Sequence, residues 1–145
     1  HQCGKGNLRE TQSLYDAYDS THEVKLFEFE ESMETFYSNA DLIISRAGAL
    51  SVSEICESQN IAIFIPLKNS IDNHQYKNAE FYLKKGCGFI VEEKDIDHEL
   101  YNLIKRIFYE KSLVNNILSN QRQYSDKNIF INLKTYIEKI INEKN

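Results

Sequence analysis

Asp41-Leu-Ile-Ile-Ser45-Arg-Ala-Gly-Ala49-Leu-Ser-Val-Ser-Glu54 is the stretch that decides the fold class. Its first five residues form a compact apolar run bounded by polar ones, the mark of a strand buried in a parallel sheet. Arg46-Ala-Gly-Ala49 is then a turn of small residues, and a helix is predicted over residues 50–58. A second apolar run, Ile61-Ala-Ile-Phe-Ile65, is stopped by Pro66, the single proline of the chain. Past a polar loop, residues 67–73, a helix is predicted over residues 74–85. Gly86 ends it, and Gly88-Phe-Ile-Val91 is the last strand. Strands alternating with helices over short connections predict an α/β fold with a parallel sheet and right-handed crossovers. Such sheets bind ligands at the carboxyl ends of their strands. The loops after Ser45 and Ile65 are therefore where chemistry is expected.

Toward the amino terminus, His1-Gln-Cys-Gly-Lys-Gly6 reads as the tail of a strand entering a glycine turn, so the chain is expected to begin in mid-domain. Residues 8–18 tolerate a helix, with Leu8, Tyr15 and Tyr18 as its buried positions. Val24-Lys-Leu-Phe-Glu-Phe29 mixes alternation with β-branched and aromatic residues and predicts a strand. Met33, Phe36 and Tyr37 at i, i+3, i+4 predict a short helix. Toward the carboxyl terminus, Leu100, Leu103, Ile104, Ile107 and Phe108 form one stripe at helical spacing. Phe130, Leu133, Ile137 and Ile140 form another, and both read as core.

Composition removes several function classes. At 145 residues the chain has about one domain's length. Its 17 Lys+Arg against 22 Asp+Glu give a net charge of −5, which argues against a nucleic-acid binder, because phosphate contacts need a basic face. No apolar run approaches the length that spans a bilayer. Three cysteines cannot all pair and no secretory leader opens the chain, so a reduced, cytosolic compartment is expected.

Each loop has two local readings. Small residues at a strand-to-helix turn let a ligand approach the backbone, and free amides at a helix start favour an anion. Ser51-Val-Ser-Glu54 equally fits a capping box, which would satisfy those amides internally. In the second loop, Pro66-Leu-Lys-Asn-Ser-Ile-Asp-Asn-His-Gln75 offers amide, carboxylate and imidazole groups without a nucleophile, which suits recognition of a polyol such as a sugar. It also fits a solvated turn with Asp72 or Asn73 as helix N-cap.

Taken in order, these segments resemble the carboxyl-terminal domain of the MurG family, the peptidoglycan N-acetylglucosaminyltransferases of glycosyltransferase family 28. The resemblance runs through His1-Gln-x-Gly-Lys-Gly6, Phe29-x-x-x-Met33, Ala40-Asp41 and Arg46-Ala-Gly-Ala-Leu-Ser-Val-Ser-Glu54. It continues through Pro66 and Asp72-x-His-Gln75-x-x-Asn78-Ala79 and fades in the closing helices. It implies the carboxyl-terminal lobe of a two-lobed GT-B fold, with residues 1–145 as an incomplete Rossmann-like parallel sheet that binds UDP-N-acetylglucosamine.

On that resemblance the site segment is Ala49, Leu50, Ser51, Val52, Ser53 and Glu54. Ala49, Leu50 and Ser51 meet the diphosphate through backbone amides and the Ser51 hydroxyl, and Glu54 accepts from the ribose hydroxyls. Gln75, with Asn78, reads the hexose hydroxyls. Met33 and the backbone near Glu30 hold the uracil, although Glu30 departs from the family's usual apolar residue. Arg46 is expected to buttress the loop. The implied reaction is an inverting, metal-free and cofactor-free transfer of N-acetylglucosamine to lipid I, giving lipid II on the cytoplasmic side of the bacterial inner membrane.

The catalytic base, the acceptor site and the peripheral membrane contact fall to an amino-terminal lobe absent from this chain. None of the four histidines is a candidate base. The family's Gly-Gly-Ser-type turn should precede His1. The chain alone is therefore expected to be inactive and poorly stable, with the strand at residues 41–45 beside a missing neighbour. Two other readings compete. One is a stand-alone UDP-sugar-binding subunit needing a separate partner, which should carry its own first strand. The other is an α/β interaction module without a nucleotide site, which leaves the pairing of the two loops to chance.

Overall fold

A computed structural model describes residues 1–18, 22–68, 70 and 73–124 of the chain. Its contacts divide into two units, His1–Phe36 and Tyr37–Asn145. The second holds a parallel sheet of β1 (Ile43–Ser45), β2 (Ala62–Phe64) and β3 (Phe89–Ile90), in the order β1-β2-β3. Ile43, Ile44 and Ser45 pair with Ala62, Ile63 and Phe64, while Ile63 and Phe64 pair with Phe89 and Ile90. This is the parallel α/β architecture read from the sequence.

The unbroken apolar run at β2 has a direct cause. Successive side chains of a strand point to opposite faces, and both faces of this one are covered. Ala62 and Phe64 join Ala47, Val52 and Ile55 and the helical Ala79 in one cluster. Ile61 and Ile63 join Val91 and Ile107 in the other, with Leu103, Ile104, Val114 and Leu118 packed against them. The first cluster draws on α3 (Ala49–Glu57) and α4 (His74–Lys84), the second on α5 (Tyr101–Tyr109) and α6 (Lys111–Tyr124). Phe64 is 1% exposed, and burying such a ring contributes roughly 1.5–3 kcal/mol. At Gly88 a Cβ would sit 3.1 Å from the Ala62 carbonyl oxygen, so glycine lets β3 close on its neighbour. Gly86, at φ +65°, ends α4 as expected.

Helix α6 is fastened by a buried amide. Gln121 Nε2 donates to the carbonyls of Asn60 (2.6 Å) and Cys87 (2.7 Å), which precede β2 and β3. Before α5 the chain makes a 3₁₀ turn, Glu93–Asp95, and one π-helical stretch, Ile96–Leu100. Leu100, Leu103, Ile104 and Ile107 supply the predicted stripe, but Phe108 is 61% exposed. One helix face is filled by the other four, and the next residue in line turns about 100° away from Ile107. The predicted stripe Phe130, Leu133, Ile137 and Ile140 lies outside the described residues.

In the first unit, Gln2 makes a single parallel bridge with Phe27, where a strand over residues 24–29 was expected. Cys3 donates its amide to Phe27, Phe27 donates to His1, and the Phe27 ring stacks on Phe36. Helix α1 (Leu8–Asp16) buries no residue fully. Tyr15 is half-buried, but Leu8 and Tyr18 are exposed, contrary to the expectation. Leu8 and Tyr15 share a face at i, i+7, whereas Tyr18 follows the helix and is free of its register. Helix α2 is short, Glu34–Ser38.

Candidate functional site

Helix α3 starts directly beyond the carboxyl end of β1, and its first residue is Ala49. Gly48 is the N-cap and brings no side-chain hydrogen bond. The first intrahelical bond of this turn runs from the Val52 amide to the Gly48 carbonyl at 2.9 Å. The amides of Ala49, Leu50 and Ser51 precede it, so helix geometry gives them no internal partner. The capping box expected at Ser51-x-x-Glu54 does not form. Ser51 is the third helical residue rather than the N-cap, because the helix begins two residues before the serine.

Among the described residues nothing demands glycine at position 48. Its φ of −62° suits any residue, and an added Cβ would lie at an ordinary 3.8 Å from Ser51 Oγ. Its smallness keeps the approach to the three amides open. Leu50 is 73% exposed and Ser53 is exposed. Val52 does not reach the site surface: its side chain is 3% exposed, within the core. Glu54, one turn into the helix, accepts a hydrogen bond from the Tyr37 hydroxyl at 3.3 Å. Burial pushes the Tyr37 phenol up, and the adjacent Glu54 charge and hydrogen bond push it further. Tyr37 is therefore the donor of this pair throughout the neutral range.

Helix α4 stitches the two loops together. Gln75 Oε1 accepts from the Leu67 amide at 3.0 Å, and the Gln75 amide donates to Ser70 Oγ at 3.4 Å. One turn on, Asn78 Nδ2 donates to the Ala47 carbonyl at 3.1 Å. Gln75 thus holds the loop after β2 and Asn78 the loop after β1. Gln75 keeps its amide NH₂ as donor, and Asn78 keeps its carbonyl as acceptor. Asn73 stands at the N-cap position with φ +56°, a left-handed conformation that asparagine tolerates. It makes no capping bond, so the cap expected of it is absent, and Asp72 lies outside the described residues.

Arg46 buttresses the loop, as expected. Its Nη1 donates to the Ile65 carbonyl at 3.2 Å and to Glu93 Oε1 at 2.6 Å. Glu93 Oε2 accepts from the Lys68 amide. The hydrogen bond from Arg46 holds the Glu93 carboxyl below its ordinary value, helped by the Lys68 amide. One guanidinium and one carboxylate therefore tie the segments following all three strands. Sequence reasoning missed Glu93, 47 residues from its partner, and missed the hydroxyl contact of Tyr37. Glu30 and Met33 belong to the first unit, where Glu30 Oε1 accepts from the Ser32 amide and Met33 is half-buried just before α2. Among the described residues no group of three or more His, Cys, Asp or Glu is placed to hold a metal, and no helix is long and apolar enough to cross a membrane.

Ala49–Ser51 and Glu54 thus lie in the first two turns of α3, and Gln75 and Asn78 in the first two turns of α4, the helices that follow β1 and β2. Comparison with known proteins covers nearly the whole chain. The family model described as the glycosyltransferase family 28 C-terminal domain matches residues 1–138. The UDP-N-acetylglucosamine--N-acetylmuramyl-(pentapeptide) pyrophosphoryl-undecaprenol N-acetylglucosamine transferase of Acinetobacter baumannii (strain AYE) is 33% identical over 140 residues, which are 97% of this chain and 38% of that protein. The protein of the same name from Francisella philomiragia subsp. philomiragia is 32% identical over 99% of this chain and 39% of its own length. A crystal structure of Acinetobacter baumannii MurG superposes with a TM-score of 0.73 at 34% identity, covering 86% of this chain and 36% of that one. The chain spans about two-fifths of the length of these curated relatives.

Proposed function

The chain belongs to the glycosyltransferase family 28 C-terminal domain family, and from that membership we propose that it is the donor-binding part of an inverting transferase. The donor is UDP-N-acetylglucosamine, the acceptor is lipid I, and the product is lipid II. The observation that carries this reading is the uncapped start of α3 beyond β1, with the Ala49, Leu50 and Ser51 amides unpartnered inside the helix. A helix start of this kind favours an anion through both its free N–H groups and its dipole.

Three parts of the donor then have partners. The diphosphate meets the three amides and the Ser51 hydroxyl. The ribose diol donates to the Glu54 carboxylate. The hexose is read by the Gln75 NH₂ and the Asn78 carbonyl. As the bond from the anomeric carbon to the diphosphate breaks, negative charge accumulates on the departing UDP. Preorganised amides stabilise that charge more than they stabilise the intact donor, which is the condition for lowering the barrier. Activation of the lipid I hydroxyl and contact with the cytoplasmic membrane face are assigned to the parts of the relatives that this chain does not span. The 145-residue chain alone is accordingly expected to bind donor without transferring sugar.

The test compares two variants against two ligands. Glu54→Ala removes a ribose acceptor and should weaken UDP and UDP-N-acetylglucosamine alike, by roughly 1.5–3 kcal/mol for hydrogen bonds to a charged group. Gln75→Ala should weaken the full donor and leave UDP unchanged. Calorimetric titration of both ligands reads the pattern. Equal losses for both ligands in Gln75→Ala, or none for either in Glu54→Ala, would refute the assignment.

A further inference from the structure

Glu54 does not stand alone on α3. The Tyr37 hydroxyl reaches its Oε2 at 3.3 Å, and the Tyr37 ring packs against the cluster of Ala47, Val52, Ile55, Ala62, Phe64 and Ala79. The ring is therefore held by the same core that holds α3 and the loop after β1. A glutamate side chain has three rotatable bonds, and an exposed one samples many rotamers. This one is half-buried and tethered at one oxygen by a donor whose ring is packed on the core. A carboxylate has about four acceptor positions, so the tether leaves Oε1 free to accept elsewhere.

We propose that Tyr37 is a positioning residue for nucleotide recognition, its hydroxyl orienting the Glu54 carboxylate so that the free oxygen meets the ribose diol. The proposal rests on the reading of Glu54 as the ribose acceptor and adds to it a residue 17 positions away that no local motif marks. The tyrosine touches no ligand; it raises affinity by fixing the carboxylate before the nucleotide arrives, which lowers the ordering cost of binding. The phenol suits this task because burial and the neighbouring carboxylate keep its proton on.

The experiment titrates the full chain with UDP and with 2′,3′-dideoxy-UDP, and reads the ratio of their affinities. In the native chain the diol should give UDP an advantage of at least about tenfold, as expected for hydrogen bonds to a carboxylate. Tyr37→Phe keeps the ring and deletes the hydroxyl. It should cut that advantage by roughly three- to tenfold, the effect of one hydrogen bond, while affinity for the dideoxy analogue stays as it was. A variant that merely loosened the fold would weaken both ligands together and leave the ratio intact, so the analogue is an internal control for folding. An unchanged ratio in Tyr37→Phe alongside a collapsed ratio in Glu54→Ala would overturn the role of Tyr37 and leave the ribose reading standing. An unchanged ratio in Glu54→Ala would overturn the ribose reading itself.

Discussion

At the scale of single residues, the loops of this site are fixed in part by side chains that are not themselves assigned to the ligand. Arg46 and Glu93 make the most direct case, since their ion pair joins the segment after β1 to the segment after β3, with Ile65 and Lys68 of the segment after β2 attached. The Glu93 carboxyl is held below its ordinary value chiefly by the Arg46 hydrogen bond. A lowered folded value means that the pair's contribution is present above the unfolded value and is lost as pH falls through the folded one. The unfolded value for glutamate is about 4.3. The melting temperature of the native chain should therefore exceed that of Glu93→Gln by a constant margin above about pH 5, and the margin should shrink as pH falls below about 4. Melting curves from neutral pH to pH 3.5 measure it. A margin that widened toward acid would contradict the assigned direction. Because the Arg46 side chain is 51% and the Glu93 side chain 32% exposed, the role of the pair is placement of the loops more than global stability.

Among the elements, α3 shows how a local pattern misleads and how the fold corrects it. Ser51-Val-Ser-Glu54 has the spacing of a capping box, but Ala47 is fully buried in the core and anchors the turn ahead of it, so the helix begins at Ala49. Gly48 then occupies the cap without a side chain to fill it. This gives a sharp prediction. Gly48→Asp supplies the carboxylate that a helix start prefers, and an N-cap Asp differs from Gly by only a few tenths of a kcal/mol in helix stability. The melting temperature should hold or rise slightly. The same carboxylate would occupy the amides proposed for the diphosphate and repel it, so affinity for UDP should fall by at least about tenfold. Undiminished affinity in a variant of native stability would remove the start of α3 from the site.

What was legible in the sequence follows the same division. β2 was legible because two-sided burial writes itself as a continuous apolar run, and Gly86 because a left-handed helix end favours glycine. β1 carries a similar apolar run but not the burial expected of it: it pairs on one side only, with β2, and Ile44 is 46% exposed. The single bridge at Phe27 was not legible, since β-branched and aromatic content signals strand propensity but cannot report whether a pairing partner extends alongside. Gln75 and Asn78 were singled out as ligand contacts, while their bonds to Leu67 and Ala47 depend on how two loops meet. The Tyr37–Glu54 and Arg46–Glu93 contacts join separate elements, and no periodicity within one element encodes them.

On the scale of the whole molecule, the sheet carries its helices on two faces and gathers its polar chemistry at one end. Val52, Ile55 and Ala79 bind α3 and α4 to one face, so the starts of both helices are delivered to the strand ends by core packing. Phe64 is the keystone of that cluster, at 1% exposure. The account's central claim is that this end of the sheet holds a nucleoside diphosphate sugar. Calorimetric titration of UDP-N-acetylglucosamine into the 145-residue chain, repeated with saturating UDP and with saturating uridine, tests that claim most directly. The account predicts saturable binding with one donor per chain, abolished by UDP and barely altered by uridine, because the diphosphate is the group that the α3 amides engage. Absence of saturable binding by the folded chain, or displacement by uridine as effective as displacement by UDP, would contradict it.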